Sequence, residues 1–297
     1  MSNNGKERIN KMSTPFVSVI IPVYNDPIRL KTCLHTLEVQ TYSKEAYEVI
    51  VVDNGSDESI APIVAEFRQA KASFEPHPGS YAARNKGLSL ARGEVIAFTD
   101  ADCIPAPDWI EKGVHHLLNM PEPGIVGGKV ELFFQDPDHP TAVELYNNMT
   151  DFDMQMYIEK ANFTATANLF TFNRVFEQVG YFDRSLKSGG DLEWGQRAAA
   201  LGYKLLYADD VRIAHPARYS LAQLLAKERR VAKGLAIVRR SLKKNLPPLS
   251  LPPVFRTMRL KRASFRTKMM IIVLWFVIKY IRLEERWRLK VCNVKNV

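Results

Sequence analysis

Cysteine is scarce: Cys33, Cys103 and Cys292 are three thiols far apart in 297 residues, with no CxxC spacing. An odd, scattered set supports neither a disulfide framework nor a thiolate zinc site, and it points to a reducing compartment. The common phosphate cradles are missing as well. No GxGxxG follows a strand, no GxxxxGK[ST] opens a helix and no GxSxG elbow occurs. Nicotinamide chemistry, Walker-type NTPase activity and serine hydrolysis therefore lose their signatures. The opening MSNNGKERINKMSTP lacks the apolar core of a secretory leader, so export by that route is not expected. MMIIVLWFVI, at 269–278, is an apolar run of only ten residues, which at ~1.5 Å per residue covers about half of a ~30 Å hydrocarbon core. Glycine (15) and proline (17) stand near average use beside 46% hydrophobic residues, which excludes collagen-like and mostly disordered chains.

Charge is present but unevenly placed. Residues 218–297 hold 21 lysines and arginines against three glutamates and no aspartate, a net of +18, whereas residues 1–217 carry a net of −9. An acidic body has carboxylates to spare for a metal or a base, and a basic tail seeks an anionic surface. The chain accordingly divides into a polar N-terminal tail (1–15), a catalytic domain (16–217) and a basic helical tail (218–297).

From Val17 onward, short β-branched runs alternate with helical stretches, the pattern of an α/β fold with a mostly parallel sheet flanked by helices. VSVIIPV (17–23), YEVIVVD (47–53) and EVIAFTD (94–100) are the clearest strands. GIVGGKVELF (124–133) reads as another, and YKLLYADDVRIAH (203–215) as one more with a turn at its Asp pair. Helices are expected over 27–39, 58–70 and 80–91. Open α/β sheets bind ligands outside the carboxyl ends of their strands, which directs attention to Tyr24, Asn25, Asp53, Asn54, Asp100 and Asp102. In the tail, NLPPLSLPP (245–253) reads as an extended linker. Before it, Leu221, Leu224, Leu225, Val231, Leu235 and Val238 form a helical stripe, with Lys227, Arg230, Lys233 and Arg240 off that stripe. After it, the apolar run is bracketed by Arg262, Arg266, Lys268, Arg282, Arg286, Arg288 and Lys290, with Trp275 and Trp287. That composition suits a helix lying at an anionic membrane interface; packing of 269–283 on the protein body is the competing reading.

Four groups of residues carry chemistry. Asp100 and Asp102 are spaced i, i+2, so in extended chain both face one side and can approach a hard cation; a turn preceding Pro105 is the bland alternative. Asp53, in DNGS, either ends a strand in a tight turn or accepts the imide N–H of a pyrimidine base. Arg84 lies one turn into a helix opened by Gly79, an arrangement that suits a diphosphate, although a surface ion pair would also explain it. Asp191, after Ser188-Gly189-Gly190 and before LEWGQRAAA, is placed either to cap a helix or to serve as a general base.

SVIIPVYND (18–26), VIVVDNGSDES (49–59), GSYAARNKGLSLARGEVIAFTDADC (79–103) and GGDLEWGQRAAALGY (189–203) together resemble an inverting family 2 glycosyltransferase of the GT-A fold. The resemblance implies a Rossmann-like catalytic domain. It places Pro22, Tyr24, Asn25 and Asp53 around the nucleoside, Arg84 and Asp100 in the nucleotide site, and a Mn²⁺ or Mg²⁺ on Asp102, with Asp100 facing the ribose or the metal. A late His, here His215, completes the metal shell in some relatives, and Asp191 is the base. Glu193 and Arg197 fit the pattern after the base; Asn168 and Asp183 match the acceptor-side layout. Gly190 departs from it, standing where Glu is usual.

The expected activity is therefore metal-assisted single displacement, from a nucleotide-sugar donor to a glycan or lipid-linked acceptor. The expected location is cytoplasmic and peripheral on an anionic membrane. A sugar nucleotidyltransferase would need a Gly-rich triphosphate loop near the first strand, which PVYNDPIRL does not offer. A non-catalytic membrane scaffold is the reading from another class. A nucleic-acid binder would interleave basic groups with aromatics, whereas the tail collects its apolar residues in one block.

Overall fold

The computed structural model describes residues 14–122, 124–242, 257, 258, 260 and 263–294, with side chains as far as Arg288. Most of the polar tail 1–15 and the linker 245–253 lie outside the described residues. Strands β1 (Val17–Val23) and β2 (Tyr47–Asp53) occupy the spans read from sequence and are buried at every position except Pro22. They are mostly apolar rather than alternating because helices cover both faces of the sheet, and the buried Ser18 and Glu48 are paired by a 2.8 Å hydrogen bond. β1 pairs in parallel with β2 and with β4 (Val95–Phe98), and β2 with β3 (Ala70–Phe74). Their carboxyl ends therefore share one edge.

Helix α1 (Pro27–Glu38) follows β1, α2 (Ala61–Val64) follows β2, and α3 (Ser80–Leu90) precedes β4. The helix expected over 58–70 is cut to the four residues of α2, because β3 takes Ala70 onward as an edge strand. β3 escaped notice in the sequence since AKASF is mostly solvent-facing and has no apolar run. Beyond β4 come β5 (Ile104–Pro105), α4 (Trp109–Leu118), β6 (Gly124–Phe133), α5 (Ala142–Thr150) and α6 (Met154–Ala161). Then follow β7 (Leu169–Phe172), α7 (Asn173–Val179), α8 (Gly190–Ala200), β8 (Lys204–Pro216), α9 (Leu221–Leu242) and α10 (Phe265–Val294). The sheet order is β3-β2-β1-β4-β7-β6-β8-β5. β7 runs antiparallel to both its neighbours, and β6 and β8 are parallel to each other.

The turn expected at Asp209-Asp210 is instead a bulge within one strand. Along β8 the register jumps from Gly128↔Ala208 to Lys129↔Arg212, so Asp209, Asp210 and Val211 loop out of the ladder. Asn168 fills the gap by donating from Nδ2 to the carbonyls of Lys129 and Val211, both at 2.9 Å. Gly128 is required there, since a Cβ would lie 2.2 Å from the Val211 oxygen. Past the bulge β8 continues to the ligand edge, where β5 pairs with it antiparallel and sets Ile104 against Ala214. That pairing brings Asp102 beside His215.

The basic tail is packed on the catalytic body. Val238 of α9 joins the core formed by Tyr81, Leu192 and Trp194. Gly234 touches the chain before α8 so closely that a Cβ would sit 2.2 Å from the Ser188 oxygen. α10 lays Ile271, Leu274 and Ile278 on Tyr146 of α5 and Leu224 of α9, and burial of each such side chain is worth about 1.5–3 kcal/mol. Lys227 contributes ion pairs to Asp151 and, at 3.0 Å, to Glu228, and Arg282 of α10 lies 2.7 Å from Glu228. Lys227 and Arg230, read from sequence as off the packed stripe, thus line an interior cavity. The opposite face of α10 remains open: Met269, Val273, Phe276, Tyr280, Leu283 and Trp287 are exposed. The segment 269–283 therefore packs on protein along one face and leaves the other uncovered among the described residues. No helix of the described residues is long and apolar enough to cross a membrane.

Candidate active site

A cavity of about 850 Å³ opens at the shared edge, bounded by the loops after β1, β2 and β4, the first turns of α3 and α8, and the inner faces of α9 and α10. Pro22, Tyr24, Arg84, Asp100, Asp102, Asp191 and His215, all singled out from sequence, line it together. α3 starts at Gly79, whose φ of +134° suits glycine and whose N–H donates to Asn54 Oδ1 at 2.6 Å. Asn54 also donates to the His77 carbonyl at 2.8 Å, so one side chain fixes the loop that aims α3 at the cavity. Arg84 is buried and pairs with Asp100, while its Nε is enclosed without a partner. A buried guanidinium with a spare donor beside a helix N-terminus is suited to a phosphoryl oxygen.

Asp100, Asp102, Cys103 and His215 offer ligand atoms that all lie within 4.8 Å of one another. His215 Nδ1 is 2.8 Å from the Pro216 carbonyl, which fixes the proton on Nδ1 and turns the Nε2 lone pair toward Asp102, 3.6 Å away. Burial pushes the Cys103 thiol far above its ordinary range and the two aspartates add to the effect. The two carboxylates and the imidazole form a donor set that fits Mn²⁺ or Mg²⁺. Burial also raises the Asp102 carboxyl, with His215 opposing and Asp100 reinforcing the shift.

Asp191 is not an N-cap: α8 begins at Gly190 with Gly189 in the cap position, and Asp191 Oδ1 accepts from the Leu192 N–H at 2.9 Å. The same oxygen accepts from the Tyr81 hydroxyl at 3.1 Å. Desolvation raises the Asp191 carboxyl, and the Leu192 N–H, the Arg84 charge and the Tyr81 hydroxyl hold it back. Tyr81 lay within a quoted motif but escaped the sequence reading, because a tyrosine on a helix reads as core.

Other sequence-predicted residues lie off the cavity wall. Asn25, at φ 51°, accepts from the Asp57 N–H and braces the loop after β2. Asp53 is buried and accepts from the Ser56 N–H at 2.9 Å, the geometry of a turn. Asn168 is sealed in the sheet by its bulge contacts and by Trp109 Nε1, 2.9 Å from its Oδ1. Asp183 closes a surface turn on the Ser185 N–H. Glu193 and Arg197 pair at 2.7 Å, and Arg197 also donates to the Tyr181 carbonyl, fastening the preceding loop to α8.

The sequence pattern of Glycosyl transferase family 2 matches residues 18–180, and 225 residues are 44% identical to Glycosyltransferase AglE of Haloferax volcanii, covering 74% of this chain and 73% of that protein. The chain belongs to glycosyl transferase family 2. As a family 2 member it is an enzyme of glycosyl transfer. Its fold is similar to the mannosyltransferase PcManGT of Pyrobaculum calidifontis, solved in complex with GDP-Man and Mn²⁺, with a TM-score of 0.61 at 19% identity over 94% of this chain and 75% of that one. It is also similar to S. aureus TarS 1-349 in complex with UDP-GlcNAc, with a TM-score of 0.55 at 17% identity over 86% of this chain and 70% of that one. The fold is the GT-A arrangement that the sequence resemblance implied. Family membership gives Gly190 added interest, since a Cβ at this position would lie 2.7 Å from the Tyr81 ring. Tyr81 occupies the space into which the glutamate that the sequence resemblance implies at this position would project.

Proposed function

We propose that the protein is an inverting glycosyltransferase that moves a sugar from a nucleotide-sugar donor to a glycan or lipid-linked acceptor by single displacement. The observation that carries this reading is the placement of Asp191 in the same cavity as the Arg84–Asp100 pair and the Asp102–His215 cluster. Pro22, Tyr24 and Asn54 enclose the nucleoside, and Arg84 with the first turn of α3 holds the diphosphate. Asp191 takes the proton of the acceptor hydroxyl as that oxygen attacks the anomeric carbon from the face opposite the leaving nucleoside diphosphate. The Tyr81 hydroxyl favours the ionised form of that carboxylate and aims it. A Mn²⁺ or Mg²⁺ held by Asp102, His215 and Asp100 would neutralise charge gathering on the departing diphosphate.

The same reading places the enzyme peripherally on the cytoplasmic face of an anionic membrane. The exposed apolar residues of α10 recur every three to four positions, and Arg266 and Lys268 lie at its start. An amphipathic helix of this kind inserts shallowly among acidic headgroups.

The decisive experiment is a screen of nucleotide-sugar donors with and without Mn²⁺, scored by released nucleoside diphosphate and by the anomeric configuration of the product. Metal-dependent release with inversion supports the reading. Retention of configuration, or no donor turned over, would sink it.

A further inference from the structure

The α9–α10 end of the cavity carries more positive charge than the carboxylates of the described residues balance. Lys227, Val231, Leu235 and Arg239 recur every four residues and so form one wall of α9, faced by Arg282 and Arg286 of α10, with Arg218 and Arg230 at the sides. Asp151 takes up Lys227 and Arg218, and Glu228 takes up Arg282. Arg230 donates to the Lys187 carbonyl. The glutamates of α10, Glu284 and Glu285, pair with Arg288 and Arg229. Arg239 and Arg286 are left without a carboxylate partner among the described residues, and the Arg239 Nε is enclosed with no hydrogen bond at all. Desolvation together with the charges of Arg286 and Arg282 pulls the Arg239 pKa below its ordinary value. Gathering guanidinium groups in a partly enclosed wall costs free energy unless an anion arrives to balance them.

We propose that Arg239 and Arg286, beside Arg282, bind the phosphate or diphosphate group of an anionic glycosyl acceptor. The inference rests on the glycosyltransferase reading and deepens it by naming the acceptor's chemical class. α9 abuts the Ser188-Gly189 turn that leads into α8 and Asp191, through Gly234 and Val238, and Arg239 lies five residues past Gly234, about 7–8 Å along the helix axis. A phosphate there stands roughly one sugar ring from the turn that leads into α8, whose first turn carries the base. Val231 and Leu235, on the same wall, give that ring an apolar surface. The planar guanidinium fork matches phosphate oxygens in a way that a lysine would not. Two sources supply this chemistry, a polyisoprenoid phosphate in a membrane and a soluble sugar phosphate.

The test measures binding of farnesyl phosphate, farnesol, glucose 1-phosphate and glucose to the full chain by calorimetry, with nucleoside diphosphate plus Mn²⁺ titrated in parallel. Wild type should bind a phosphate-bearing probe at least about 10-fold tighter than its neutral counterpart. Arg239→Gln with Arg286→Gln should remove at least about 10-fold of that affinity, as loss of charge-assisted bonds does. Lys233→Gln with Arg240→Gln, the same charge change on solvent-facing positions of α9, should leave it within about 2-fold. Tighter binding of farnesyl phosphate than of glucose 1-phosphate assigns the lipid source, and the reverse order the soluble one. Equal binding of phosphate and neutral probes, or equal losses in both pairs of variants, overturns the proposal. If nucleoside diphosphate fails to bind wild type, the glycosyltransferase reading fails with it. If nucleotide binds and no phosphate probe does, only this inference falls. Thermal melts of the variants identify any that lose affinity through unfolding.

Discussion

The Tyr81 hydroxyl donates a 3.1 Å hydrogen bond to Asp191 Oδ1, joining the helix that carries Arg84 to the residue proposed as base. The two residues are 110 positions apart, and Gly190 permits their approach by presenting no Cβ to the tyrosine ring. The first turns of α3 and α8 are thereby held at a fixed separation.

Removing the base gives the sharpest kinetic expectation. Asp191→Asn should lower turnover by ~10²-fold or more while donor affinity stays within a few-fold. The same change should not destabilise the fold. A carboxyl whose folded pKa is raised favours the folded state at pH below its unfolded value, and that advantage is lost as pH rises through the folded pKa. Above the folded pKa the buried charge is a cost that asparagine removes, so the melting temperature there should equal or exceed wild type. A drop of several degrees would contradict this account.

Tyr81→Phe deletes a hydrogen bond to the ionised form of Asp191 and leaves the ring in place. The Asp191 pKa should then rise further, moving the acid limb of the kcat/KM profile to higher pH. Activity at alkaline pH should recover most of the wild-type value. An unshifted limb would show that Tyr81 has no hold on the base.

Gly190→Ala should cost about 1–3 kcal/mol, because the added methyl group overpacks the Tyr81 ring. Combining it with Tyr81→Leu should restore part of that loss, and urea unfolding of the four proteins in the cycle measures the coupling. Strictly additive losses would mean that the two residues do not compete for the same space.

Chelation should abolish turnover, and added Mn²⁺ or Mg²⁺ should restore it. His215→Ala should raise the metal concentration for half-activation by about 10-fold or more. A titration curve that coincides with wild type would remove His215 from the metal shell.

Glu228→Gln leaves Arg282 and Lys227 without their shared buried carboxylate. Unfolding free energy should fall by about 3 kcal/mol, and limited proteolysis should release the segment beyond 218 before the body is cut. A digestion pattern identical to wild type would argue that apolar packing alone secures the tail.

Much of the fold and half of the site were legible in the sequence because their signals are local. VSVIIPV and YEVIVVD declare buried strands by composition, and parallel pairing carries their ends, with Asp100 and Asp102, to one edge. Gly79 and Arg84 declare a helix start with a cation one turn inside it. Asn168, Glu193 and Arg197 could not be judged in that way. Whether a polar side chain faces a cavity or repairs a bulge depends on a partner strand tens of residues away.

What the sequence by itself determined is the alternation of strand and helix, the charge split at residue 217, and the short carboxylate motifs, since each depends on neighbours within a few positions. Tertiary structure alone decided that Asp102 meets His215, that Tyr81 meets Asp191, and that the basic tail walls one side of the cavity. The physical reason is that sheet register, a three-residue bulge and helix packing fix these distances, and no local stretch of chain encodes where its partner will lie.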